Sequence, residues 1–150
     1  VSLTFFVPGK PQPAGSKRAF HNKHTGRSMV VDANANSKPW QAAVAAAGHE
    51  AMNGGSLFTG GLHVELCFET VRPKGHYGSG RNAEVLKVSA PVHPTGRPDV
   101  LKLGRGVEDA LTGVVWRDDA QIVYEVLRKR YAEVAGVYVS VLPLEGGRAA

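Results

Sequence analysis

At 150 residues and 43% hydrophobic content, the chain is long enough to bury one sizeable core and too short for two, which predicts a single domain over residues 1–150. Lys and Arg number 18 against 13 Asp and Glu, a formal charge of +5. That balance disfavours a cationic partner and fits either a polyanionic one or plain solubility. The lone Cys67 excludes an internal disulfide, and no apolar run approaches the ~20 residues needed to cross a bilayer.

Residues 2–7 alternate and are rich in bulky side chains, which predicts a strand, and Pro8, Pro11 and Pro13 stop it. Residues 1–31 contain no Asp or Glu but carry Lys10, Lys17, Arg18, Lys23 and Arg27, so this segment forms a positive arm or loop edge. A short strand near residues 29–31 makes it a hairpin or an extended arm. Lys17, Arg18, Phe20 and Lys23 combine charge with an aromatic ring, as would a surface that tracks a sugar-phosphate backbone and stacks a base. A mobile basic loop with an incidental Phe has the same composition.

Asn36 and Ser37 offer N-cap oxygens, Pro39 suits a first helical turn, and the alanine-rich residues 40–52 continue as a helix that Asn53-Gly54-Gly55 ends. Leu62, Val64, Leu66 and Phe68 then alternate with His63, Glu65, Cys67 and Glu69, the period of a strand with one buried face. Residues 71–98 form a long Pro- and Gly-rich loop, basic through Arg72, Lys74, Arg81, Lys87 and Arg97. A second helix over residues 100–112 closes at Gly113, and strands near residues 121–131 and 137–142 complete the chain. The expected architecture is α+β, a small mixed sheet packed with two main helices.

Chemistry concentrates between His93 and Arg130. Asp99 ends the long loop, Glu108 and Asp109 lie on the second helix, and Asp118-Asp119 follows Trp116 at the next turn. Carboxylates gathered against their repulsion call for a cation, and a hard divalent ion both supplies it and polarises a phosphate oxygen. Caps and solvated turns use the same residues. On a helical projection Val100, Leu103, Val107, Ala110 and Leu111 share one side, while Arg105, Glu108, Asp109 and Thr112 share the other. Leu101 falls in the middle of the polar stripe, where burial does not call for a leucine. Arg105 can meet a phosphate or pair with Asp109 one turn on. No zinc arrangement, phosphate-binding Gly-rich loop or Ser or Cys nucleophile motif is present, so no nucleotide cofactor is expected.

The runs Arg97-Pro98-Asp99, Glu108-Asp109-Ala110-Leu111 and Trp116-Arg117-Asp118-Asp119-Ala120-Gln121-Ile122-Val123 resemble the central motif of the RusA-type Holliday-junction resolvases. Pro8-Gly9-Lys10-Pro11 with its basic continuation, Trp40, Lys129 and Tyr131 extend the resemblance over most of the chain. The resemblance implies a metal-dependent, structure-selective endodeoxyribonuclease acting on branched DNA as a homodimer, with Mg²⁺, or Mn²⁺ in its place, held by three aspartates near a lysine. It also implies a bacterial or phage origin, and the lone Cys67, which leaves the fold independent of oxidation, makes a reducing cytoplasm the expected setting.

Carried over by position, the first aspartate is Asp99, the third is Asp119, and Arg105 stands at the lysine. The second aspartate position is Leu101, and Lys102 stands where the pattern has asparagine. Glu108 lies about 10 Å along the helix from Leu101, so it is expected to ligate an ion shared with Asp99 and Asp119 further down the helix. Asp118 would stand behind these ligands, and Asp109 is assigned to structure. Lys10, Lys17, Arg18, Lys23, Arg97, Lys102 and Lys129 are the expected DNA contacts. Two alternatives remain: a DNA-binding module of the same fold that has lost catalysis, because Leu101 removes a ligand, and a fork or flap nuclease.

Overall fold

The structure is a computed structural model that describes residues 2–15, 17–32 and 34–145. Four strands, β1 (Leu3–Pro8), β4 (Leu62–Thr70), β5 (Ile122–Tyr131) and β6 (Gly136–Pro143), form one sheet in the order β1-β6-β4-β5. β6 runs antiparallel to both β1 and β4, whereas β4 and β5 are parallel. A parallel pair needs a long crossover, and the chain between β4 and β5 supplies it with the loop 71–98 and helix α2 (Val100–Leu111). Helix α1 (Ser37–Met52) packs on α2 and β1, and α2 packs on β5 and β4. Two further strands, β2 (Lys17–Asn22) and β3 (Arg27–Asp32), pair with each other as an antiparallel ribbon separate from this sheet among the described residues.

The alternation in β4 places Leu62, Val64, Leu66 and Phe68 in the core under the helices, where they meet Leu103, Val107, Leu111, Trp116 and Val44. α2 buries the apolar side expected of it and leaves Leu101 61% exposed, so the leucine on the polar stripe has no packing role. Two glycines let α2 approach its neighbours. A Cβ at Gly104 would lie 2.9 Å from a methyl of Leu127 on β5, and one at Gly106 would lie 3.2 Å from the carbonyl oxygen of Gln12. α1 ends as expected, with Asn53 in the left-handed region at φ 47°. Its start differs: Asn36 occupies the N-cap position with no side-chain cap bond. Asn34 organises that end instead, through a bond from the Asn36 N–H to its Oδ1 at 3.1 Å and from the Ser37 N–H to its carbonyl at 3.1 Å.

The long loop is folded rather than loose. The Arg72 guanidinium stacks 4.2 Å from the Tyr131 ring centroid and donates to the Pro91 carbonyl at 2.6 Å. At its far end Lys129 Nζ donates to the carbonyls of Gly96 and Pro98, at 2.9 and 3.0 Å. Two cations thereby fix the approach to Asp99.

Candidate active site

Helix α2 carries the site along its polar stripe. Asp99 is the N-cap, and its Oδ1 accepts from the Lys102 N–H at 2.8 Å, which satisfies one of the helix's free amide donors. Around this end lie two adjoining clefts of about 460 and 550 Å³. Lys10, Pro11, Arg97 and Pro98 line both; Lys129 belongs to the first, Asp99 and Lys102 to the second. The positive residues expected to meet DNA at the two ends of the sequence therefore gather beside Asp99. Ala14 donates to the Lys102 carbonyl at 3.0 Å, which pins the N-terminal segment against α2.

The other expected contacts divide. Lys129 is half-buried and committed to the loop carbonyls, so it positions the segment leading to Asp99. Lys23 is exposed at the tip of the β2–β3 ribbon. Lys17 and Arg18 lie on the backbone of β2, but their side chains fall outside the described residues.

At the opposite end of α2, Thr112 Oγ1 donates to the Glu108 carbonyl at 2.8 Å and accepts from Trp116 Nε1 at 3.0 Å. The fully buried Trp116 thus turns the chain back on the helix. Gln121 shapes the acidic turn that follows. Its Oε1 accepts from the N–H groups of Arg117 and Asp118, at 2.9 and 3.0 Å, and its Nε2 donates to the carbonyls of Phe58 and Gly60, both at 3.0 Å. Asp118 caps the short 3₁₀ turn at Asp119–Gln121 through the Ala120 N–H. Its Oδ1 thereby helps to hold the turn. Asp119 is exposed, and no hydrogen bond or ion pair claims its carboxylate among the described residues.

The turn brings Asp119 within electrostatic range of Glu108. Glu108 is pushed from its ordinary 4.5 up to about 8, first by burial, then by a side-chain hydrogen bond with Glu125 and by the charges of Glu125, Asp119 and Asp109. Glu125 was not anticipated from the sequence. It sits on β5 two residues before Leu127, the partner of Gly104, so the close approach of helix and strand carries Glu125 to Glu108, one turn beyond Gly104. A single acid in a strand gives no signal of its own; the period-2 placement of Glu125, Leu127 and Lys129 on one face was the available clue.

Asp99 is not among the groups acting on Glu108. The nine helical steps between them correspond to about 13 Å of rise. The structure therefore joins Glu108 to Asp119 and sets Asp99 apart at the cleft. Arg105 is exposed on the same stripe, and no Arg105–Asp109 ion pair occurs among the described residues.

The carboxyl groups of Glu108, Glu125 and Asp119 are an all-oxygen donor set, and by that chemistry they suit a hard divalent ion. Their present arrangement is not chelating: among the described residues no three Asp, Glu, His or Cys groups converge to hold a metal ion.

A family model described as Endodeoxyribonuclease RusA matches residues 8–142. The chain is also 29% identical over 86 residues to a Bacillus subtilis (strain 168) protein named Uncharacterized protein YqaN, a match covering 57% of this chain and 60% of that protein. The chain thus spans about 60% of the length of the curated relative it matches. With a family match that takes in the basic cleft, helix α2, the Trp116 turn and most of the sheet, the chain belongs to the RusA family of endodeoxyribonucleases.

Proposed function

We propose that this chain is a metal-dependent endonuclease of branched DNA, resolving Holliday junctions or related structures as a twofold homodimer. The observation that carries the reading is that one helix has a basic cleft at its N-terminal end and, at its other end, Glu108 gathered with Glu125 of β5 and Asp119 of the following turn. Lys10, Arg97 and Lys102 bind the phosphates of one strand by charge-assisted hydrogen bonds. Lys129, through Gly96 and Pro98, keeps the loop in register with them. Arg105, on the stripe between cleft and cluster, meets the phosphate to be cut, where its charge is worth most as negative charge grows on the non-bridging oxygens.

A divalent ion, Mg²⁺ or Mn²⁺, would neutralise the phosphate and lower the pKa of water. Asp119, Glu108 and Glu125 would have to converge from their present arrangement to hold it, with Asp99 the remaining family position on the cleft side. Glu125 supplies the acidic group that Leu101 does not. Near neutral pH Glu108 retains its proton, which ion binding would displace. Symmetric incision of a four-way junction requires two such sites related by a twofold axis.

Labelled four-way junction, fork and linear duplex incubated with and without Mg²⁺ or Mn²⁺ test the reading. Ion-dependent, paired incision of the junction is expected, slowed at least 100-fold by Asp119→Asn, with Mn²⁺ affinity weakened by Glu108→Ala. Leu101 at a family aspartate position, together with the non-chelating arrangement, favours a second reading, a branched-DNA-binding module without catalysis. Junction binding with no incision of any substrate would establish that alternative.

A further inference from the structure

The β2–β3 ribbon is a piece of architecture that the cleft and the carboxylates do not use. Phe20 stands directly opposite Met29, and Ala19 opposite Val30. Since side chains alternate across a strand, the first pair lies on one face and the second on the other. None of these is covered: Phe20 is 43%, Met29 46% and Val30 68% exposed. Of the described residues from 19 to 30, Asn22 is the one that is not exposed. An apolar ribbon standing in water is marginal unless it is covered.

The tip is built rather than loose. Asn22 Oδ1 accepts from the N–H groups of His24 and Thr25, at 2.9 and 3.3 Å, and Gly26 at φ 68° donates to the Asn22 carbonyl at 2.8 Å. At the base, Asn34 Nδ2 donates to Gln12 Oε1 and the Pro13 carbonyl, at 3.3 and 3.2 Å. Gln12, Pro13 and Asn34 also line the cleft that holds Lys10, Arg97 and Lys102. The ribbon therefore springs from the cleft rim, and six residues per strand give it a reach of about 20 Å.

Charge identifies the occupant. Lys17, Arg18, Lys23 and Arg27 fall in the ribbon with Asp32 as its one acid, and no acid precedes it in the chain. An apolar protein surface would offer the exposed Lys23 and Arg27 no counter-charge, whereas DNA offers them phosphates. The outside of a stacked duplex, however, offers Phe20 and Met29 little apolar surface. Ring faces are presented where stacking is interrupted, at a branch point. A two-stranded ribbon fits a DNA groove, and Phe and Met are side chains that other proteins use to wedge base steps apart.

We propose that Phe20 and Met29 form an apolar wedge that stacks on the exposed base pair at the branch point, while the basic residues around them follow the flanking phosphates. The wedge reads branching, and the cleft reads backbone. This inference rests on the branched-DNA reading above.

The test is binding without turnover, in EDTA, to a junction carrying 2-aminopurine at the branch or within an arm. Wild type is expected to raise fluorescence of the branch-point probe alone. Phe20→Ala combined with Met29→Ala should abolish that rise and weaken junction binding about tenfold or more, leaving duplex affinity within about twofold, while Phe20→Trp retains the rise. An unchanged junction preference in the double variant would overturn the wedge while leaving the nuclease reading intact. Equal loss on junction and duplex would overturn it in favour of general backbone contact. A lowered oligomer mass with unaltered DNA binding would overturn it by assigning the ribbon to subunit pairing. Failure of the wild type to bind any DNA would overturn both proposals.

Discussion

Glu108 is the residue whose ionisation the fold constrains most. Its carboxyl is raised from 4.5 to about 8, first by burial and then by Glu125. The folded state therefore binds more protons than the unfolded state across that interval. The associated stability is complete below the unfolded value and is lost as pH rises through about 8. In the absence of divalent ions the melting temperature should fall over this interval, whereas Glu108→Gln should flatten the profile. Because the group is partly open to solvent, the difference is expected at about 1–2 kcal/mol, a few degrees in Tm. Thermal melts from about pH 5 to 9 measure it. Mg²⁺ should raise the wild-type transition at pH 8 more than that of Glu108→Gln. Parallel pH profiles for the two proteins would remove Glu108 from the cluster.

At the scale of elements, helix α2 decides how the site is assembled. Gly104 lets it approach β5 to within the reach of Leu127, and this places Glu108 beside Glu125. Gly104→Val would drive branched methyls into Leu127. A gain in helix propensity of under about 1 kcal/mol offsets only part of an overpacking cost of about 1–3 kcal/mol. Net destabilisation of about 1–2 kcal/mol is expected in chemical denaturation, together with a weaker pH dependence because Glu108 is lifted off Glu125. The turn after α2 works in a complementary way. Trp116 and Gln121 spend their polar groups on Thr112, Phe58 and Gly60, so the acidic turn is held from within and Asp119 stays free.

At the scale of the molecule the helices cover one face of the sheet, and the other, where Cys67 and Glu69 are buried, is otherwise largely open among the described residues. On that open face lie Phe6, Tyr138, Leu142, Tyr124 and Val126, with Tyr124 64%, Leu142 45% and Val126 39% exposed. Glu65 and Arg128 occupy the same face on adjacent strands, a pairing that a twofold axis can make reciprocal. If the proposed homodimer forms through this face, Val126→Glu should yield monomers by sedimentation at micromolar concentration. The monomer should still bind duplex DNA but lose paired incision of a junction. A dimer that survives the substitution would place the interface elsewhere. Among the described residues no helix is long and apolar enough to cross a membrane.

Much of this molecule is local in origin, and local patterns are what a sequence displays. The period-2 run from Leu62, the amphipathic stripe of residues 100–112, the stop at Asn53 and the exposed Leu101 all follow from neighbours a few residues apart. The spacing of the Asp-Asp-Ala-Gln block was enough to indicate the family, and the bonds that shape its turn, from the Arg117, Asp118 and Ala120 N–H groups, close within five residues, whereas its anchorage to Phe58 and Gly60 does not. What depends on contacts between distant segments was decided by the fold. The parallel pairing of β4 with β5, the meeting of Glu108 with Glu125, the commitment of Lys129 to Gly96 and Pro98, and the cleft joining Lys10 to Lys102 each unite residues with no shared periodicity. The separation of Asp99 from Glu108 belongs there too: both lie on one polar stripe, but the rise of the helix, and the side on which the sheet and the Trp116 turn meet it, determine which carboxylates come together.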